Sequence, residues 1–455
     1  MNLFASVAQC LLEPRVLLSA TWNGAGSSTN WSEGANWTGG TAPTSPVSGS
    51  VNFNNQGSHL VSNNDLGPVT TDHFAFLATT SNDFTVTGAA LIASGGLLLI
   101  QNAQAVTLNS AVTLQGSAPA VQTTSGTSTL TINGVLAATN DIDVATSSGS
   151  TLNFVLGNSQ NTFTQPITFA NNVHLQVATP TGTDLTIPAA GTNSYLGQAG
   201  VSVTGTNSDL TLTAGGALSY GRSLSVSGST DSATLSATTN LSWSSTASIS
   251  LDNGATLTLT PNAGGDPQNP SGYLQLASIP ITFGVNGGTL NVDGAMFPKG
   301  GNNLGPVTVN SASGTPGKIV SSQYPGIQPT NGAWGQTFIR LYNCGGSQGT
   351  GLLEFDLTNG ALAEINACDQ SNGFRFVGVD GGDVSGDSLS HDVGRFAPYF
   401  TGTGVLNIAG VLEFENAMQV NAYVGSITIA NAISVVSGQT AFSGRTSASA
   451  GTLSL

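Results

Sequence analysis

Short phrases in which apolar and polar residues alternate, each closed by Gly, Asn-Gly, Asp-Gly or a similar pair, recur from about residue 85 onward. This pattern narrows the fold more than any other feature of the chain. Examples are TLTING at 129–134, LTLTAGG at 210–216, TLTLTPN at 256–262, TLNVDG at 289–294, VLNIAG at 405–410 and VLEFEN at 411–416. A period of two bounded by turn residues predicts strand followed by turn. No convincing helical spacing follows residue 20, because Ser, Thr, Asn and Gly stand where Leu, Glu, Lys and Ala would have to sit. The chain is expected to be all-β.

Two all-β architectures compete. A row of β-sandwiches requires units of about a hundred residues with linkers and recurring core tryptophans. Here the tryptophans are Trp22, Trp31, Trp37, Trp243 and Trp334, and no linker separates units. A parallel β-helix, or β-solenoid, instead predicts continuous β phrases, small residues at tight corners and stacked Asn, Ser, Thr and Val ladders that do without charge. The composition agrees: 59 glycines, and charged residues at only 7%. At roughly 22 residues per coil and about 4.8 Å between coils, some 400 residues would form a rod about 80–90 Å long with one continuous core.

Charge bounds the partners. Eight Lys and Arg against 23 Asp and Glu leave a net charge of −15, so a broad footprint for nucleic acid phosphates or anionic lipid is excluded. Three cysteines, Cys10, Cys344 and Cys368, are too few for a disulfide scaffold. No run reaches the 18 or so apolar residues of a membrane helix. The phrase GTLSL at 451–455 stops inside a strand-like run, which reads as part of a longer protein.

The start of the chain has a different texture. Residues 12–20, LEPRVLLSA, resemble the LEPRxLL motif that heads many large secreted or surface-bound bacterial proteins, and the likeness implies export. Residues 21–37, TWNGAGSSTNWSEGANW, follow; the phrases W-x-G, N-W and N-W-x-x-G are supplied by Trp22, Gly24, Asn30, Trp31, Asn36, Trp37 and Gly40. The block resembles the opening of bacterial proteins with autotransporter-associated β-strand repeats. That likeness implies a right-handed parallel β-helix at the cell surface or in the medium. The expected organisation is an export or sorting segment at 1–20, a tryptophan-containing cap with the first coils at 21–84, and β-helix repeats over 85–455. A solenoid's first coil exposes a strand edge that needs covering, so a cap is the preferred role for Trp22, Trp31 and Trp37. The alternative is a sugar-binding platform, since aromatic faces stack on pyranose rings.

Acidic residues gather late. The phrase VDGGDVSGDSLSHDVG at 379–394 is glycine-rich and acidic, and Asp380, Asp383, Asp387 and Asp392 are weak candidates for oxygen ligands of Ca²⁺. The phrase follows neither the EF-hand nor the nonapeptide pattern, and a polar insertion between coils is the preferred reading. β-Helices also host polysaccharide lyases and hydrolases. In that alternative Asp380, Asp383 and Asp387 would act on a sugar while Arg375 or Arg395 steadied a uronate carboxylate. Fold does not fix function, and no other cofactor is expected. Cys344 and Cys368 each stand three after an aliphatic residue, Leu341 and Ile365, so a coil as long as the interval between them would stack the two thiols, reduced or joined. The expectation is an extracellular or cell-surface structural or adhesive β-helix without catalytic activity, in contact with a polysaccharide or another surface component.

Overall fold

The computed structural model describes the chain in segments from residue 19 to residue 454, with side chains over most of 19–292 and at 317–320. Among the described residues the strands join into sheets of 14, 15, four, six and four members, and most successive strands lie in different sheets. Neighbours within a sheet run parallel, as in Thr127–Ile132 against Thr151–Leu156 and Ser232–Ala237 against Thr256–Thr260. This is a β-solenoid. Parallel neighbours cannot be joined by a hairpin, so each strand must travel round the body before it meets its partner.

The alternating phrases explain the core. In Asp209–Ala214 the residues Leu210, Leu212 and Ala214 point inward and are fully buried, while Thr211 and Thr213 point outward. Register carries the pattern into the next coils: Leu210 lies beside Ala233 and Ala233 beside Leu257, all buried. All six phrases singled out from the sequence are strands. The inner file of Leu, Val, Ile and Phe runs from Trp22 to Ile319 as one cluster. Among the described residues only Val61, Leu66 and Val285 are large exposed hydrophobics.

Coil length follows from register, and short coils are interspersed with longer ones. Thr129 pairs with Asn153 and Ala233 with Leu257 at the same interval, and Phe154 meets Leu175 after a slightly shorter one. Leu175 pairs with Leu210 and Leu257 with Leu290 across distinctly longer stretches, so these coils carry insertions. The coil length expected from the sequence corresponds to that of the short coils.

The corners use asparagine. Asn102, Asn172, Asn207 and Asn253 hold positive φ, which Asn tolerates better than other residues with a Cβ. Asn207 Nδ2 donates to Asn172 Oδ1 (3.0 Å), and Asn133 Nδ2 to Asn109 Oδ1 (2.9 Å), so the corner amides stack from coil to coil. Gly134 shows why glycine is needed where a corner lies tight on its neighbour: a Cβ there would strike the Ser110 carbonyl.

Candidate functional site

The tryptophan block is a packed turn structure. Trp22 lies in the strand Ala20–Trp22, the first of the 14-stranded sheet, and forms an antiparallel bridge with Trp37. Trp37 stands edge-on to Trp22 (centroids 5.3 Å apart) and to Trp31 (5.4 Å), and Trp31 leans on Phe53. The Trp37 indole donates to the Trp31 carbonyl at 2.7 Å. The buried Asn36 side chain accepts from Gly26 N–H (2.8 Å) and donates to the Ser28 and Asn30 carbonyls. Asn63 Nδ2 donates to Asn30 Oδ1, tying the block to the coil beneath. The motif's asparagine side chains are thus engaged in hydrogen bonds within the fold, and its tryptophan rings pack on one another.

The three rings are turned inward. Trp22, Trp31 and Trp37 are 0%, 0% and 1% exposed, so none offers a ring face to a pyranose. The physical reason is the packing of three indoles edge to face, which buries area and satisfies ring quadrupoles together.

Around the block, Glu33 accepts hydrogen bonds from the backbone N–H and hydroxyl of both Ser27 and Ser28, at 2.6–2.8 Å. Those four donors, led by the Ser28 hydroxyl, bring its carboxyl down to about 2. Asp65 accepts from Ser32 N–H and hydroxyl, and these bonds hold it below its ordinary value against the opposing pull of desolvation.

Asp380, Asp383, Asp387, Asp392, Arg395, Cys344 and Cys368, the sequence's other candidates, lie outside the described residues. Register places their neighbours. Leu341 pairs directly with Ile365, so the coil length that would stack the two cysteines holds three residues before each. Register also sets Arg375 between Glu354 and Glu413, with Lys318 on the far side of Glu354. The file reads Lys, Glu, Arg, Glu. In the sheet beside it Arg340 pairs in register with Glu364. These acids therefore alternate with cations at adjacent strand positions, where opposite charges favour pairing.

Sequence spacing missed two features. On the outer face His174 Nδ1 hydrogen-bonds Asp209 Oδ1, and the Thr211 hydroxyl donates to Asp209 Oδ2 (3.1 Å). The carboxylate orients the imidazole, but the pair stands on a flat strand face between Asn153 and Ser232 in register. His174 and Asp209 lie far apart in sequence because that coil carries an insertion, so no motif-length window contains both. The second is Arg222, 2% exposed, whose guanidinium reaches into that same insertion. Among the described residues no group of three or more His, Cys, Asp or Glu is arranged to hold a metal, and no helix is long and apolar enough to cross a membrane.

Over the strands Asp209–Ala214, Ser232–Ala237 and Thr256–Thr260 the outward positions form a grid: Asp209, Thr211, Thr213; Ser232, Thr234, Ser236; Thr256, Thr258, Thr260. All but Asp209 carry hydroxyls. No family model, no curated protein and no solved structure matches the chain.

Proposed function

We propose that this chain is an extracellular or cell-surface β-helix that makes structural or adhesive contacts, with a polysaccharide or another surface component, and catalyses no reaction. The observation that carries this reading is the outer grid of hydroxyls in register from coil to coil, nearly free of charge, on a body whose tryptophan and phenylalanine rings, among the residues with described side chains, are turned inward. Such a face supplies many weak, repeated hydrogen bonds in place of one deep pocket. In this reading the tryptophan block seals the edge of the first coil and the LEPRxLL-like segment directs export. Both roles agree with the likeness to autotransporter-associated repeat proteins.

The competing reading is polysaccharide cleavage by Asp380, Asp383 and Asp387 with Arg375 or Arg395 steadying a uronate; of these two cations, Arg375 is the one whose register is described. Its register position already gives it two glutamate neighbours. The test is an assay of the full chain for lyase and hydrolase products on a panel of acidic polysaccharides, alongside retention on immobilised polysaccharides and whole cells. Retention without product supports the adhesive reading. Product formation that disappears in Asp383→Ala and Asp387→Ala overturns it.

A further inference from the structure

The insertion at 188–199 gives the coil from Leu175 to Leu210 its extra length. It is anchored below by Asn161, which bridges to Ser194 and donates to the Tyr195 carbonyl (2.8 Å), and by Gln198 N–H donating to the Phe163 carbonyl. From above, one side chain of the following coil enters it. Arg222 Nε donates to Pro188 O (2.9 Å), Nη1 to Leu196 O (3.0 Å) and Ala199 O, and Nη2 to Thr192 O (2.8 Å), Gly197 O (2.7 Å) and Ser194 Oγ (3.1 Å). Five backbone carbonyls and a hydroxyl thus converge on one planar cation.

No carboxylate pairs with Arg222 among the described residues; the ion pairs there are His73–Asp72 and His174–Asp209. The ionisable group that interacts with it is Tyr220, fully buried with an unpartnered hydroxyl and pushed upward by desolvation, hence neutral. A buried charge without a counter-ion is costly unless dipoles replace its hydration. Here the replacement is complete and directional, because the carbonyls sit where a guanidinium has N–H bonds and a compact ammonium does not.

We propose that the 188–199 insertion is a guanidinium-binding site, a carbonyl receptor selective for a planar multi-donor cation, which Arg222 occupies in cis and thereby latches the insertion to the solenoid. The site reads the shape of the cation as well as its charge. This inference is independent of the adhesive reading, since it concerns only how one coil is closed.

The test uses the full chain carrying Arg222→Ala and Arg222→Lys. Arg222→Ala is expected to lower the thermal midpoint and to deprotect the amides of 188–199 to hydrogen exchange. Guanidinium chloride at about 10 mM, far below denaturing levels, should restore much of both by occupying the emptied site. Equal concentrations of sodium, potassium or ammonium chloride should not. Arg222→Lys should remain deprotected at 188–199. If Arg222→Ala does not fold alone, refolding yield with and without guanidinium is the readout, and equal yields overturn the proposal. In the wild type, separate slowly exchanging Nη signals for one of the six arginines are expected in the ¹⁵N spectrum of arginine-labelled protein. Their absence, rescue by every salt alike, or wild-type protection in Arg222→Lys would each refute the assignment.

Discussion

Replacing Trp37 by alanine tests whether the tryptophan block is packing or binding surface. Trp37 is 1% exposed, stands edge-on to Trp22 and Trp31, and gives its indole N–H to the Trp31 carbonyl. Truncating a buried Trp costs about 3–5 kcal/mol, of which the two ring pairs account for about 0.5–1.5 kcal/mol each. A solenoid distributes stability between nearest-neighbour coils, so the loss should be local. Amide exchange over 20–54 should accelerate about 10²–10⁴-fold, at about 1.4 kcal/mol per factor of ten, while 209–260 changes little. Phenylalanine substitutions sharpen the reasoning. Trp37→Phe orphans the Trp31 carbonyl at a cost of about 1–3 kcal/mol, whereas the buried Trp31 indole N–H has no partner, so Trp31→Phe loses no hydrogen bond. The order Trp37→Phe less stable than Trp31→Phe is therefore expected in chemical denaturation. Equal stabilities would refute the hydrogen-bond argument; an unchanged exchange pattern in Trp37→Ala, with lost retention on polysaccharide, would favour the platform reading.

Other perturbations give separate readouts. Asp231 is 2% exposed and its Oδ2 has no partner, while Oδ1 accepts from Ser208 N–H; burial raises it above its ordinary 3.8. A raised acid stabilises the fold in its protonated form, so its contribution is present below pH 3.8 and declines as pH climbs through the raised value. Asp231→Asn should accordingly gain on the order of 1 kcal/mol at pH 7 in urea unfolding, and a loss there would contradict the account. Glu33 behaves in the opposite sense: its contribution is present above the unfolded value of 4.5 and disappears as pH falls toward 2. Glu33→Gln should flatten that acid limb in exchange measurements over 26–33, and an unaltered limb would count against the four-bond cradle. Arg375→Glu sets three glutamates in consecutive register and should destabilise by about 0.4–2 kcal/mol, at about 0.2–1 kcal/mol for each like pair. Arg375→Gln should cost less, and high salt should narrow the gap. A gap that does not depend on salt would show that the charge file does not pair.

The fold was legible because strand, turn and coil length are all local signals. TLTLT at 256–260 states its own inner and outer faces, and the equal spacing of Leu341 and Ile365 before their cysteines implied the coil offset that register confirms. What escaped were contacts made across coils of unequal length. Arg222 meets carbonyls at several different distances along the chain, from Pro188 to Ala199, and Arg375 has Glu354 in one neighbouring coil and Glu413 in a much longer one. No periodic window aligns such pairs, since each insertion resets the count. Trp22, Trp31 and Trp37 were legible as a block, but not their near-complete burial, which comes from packing edge to face on one another and on Phe53.

The parallel coil-to-coil pairing also determines how such a body would respond to tension. Strands in a solenoid lie across the long axis and their backbone hydrogen bonds along it, so a pull from one end loads one ladder at a time. Each coil that peels away pays out its own length of chain, about 70–80 Å for a short coil at about 3.3–3.6 Å per residue, and half as much again where Leu175–Leu210 or Leu257–Leu290 encloses an insertion. Tethered between two surfaces, the chain would lengthen in uneven steps under load, and the Arg222 latch would make one of the long steps the harder to release.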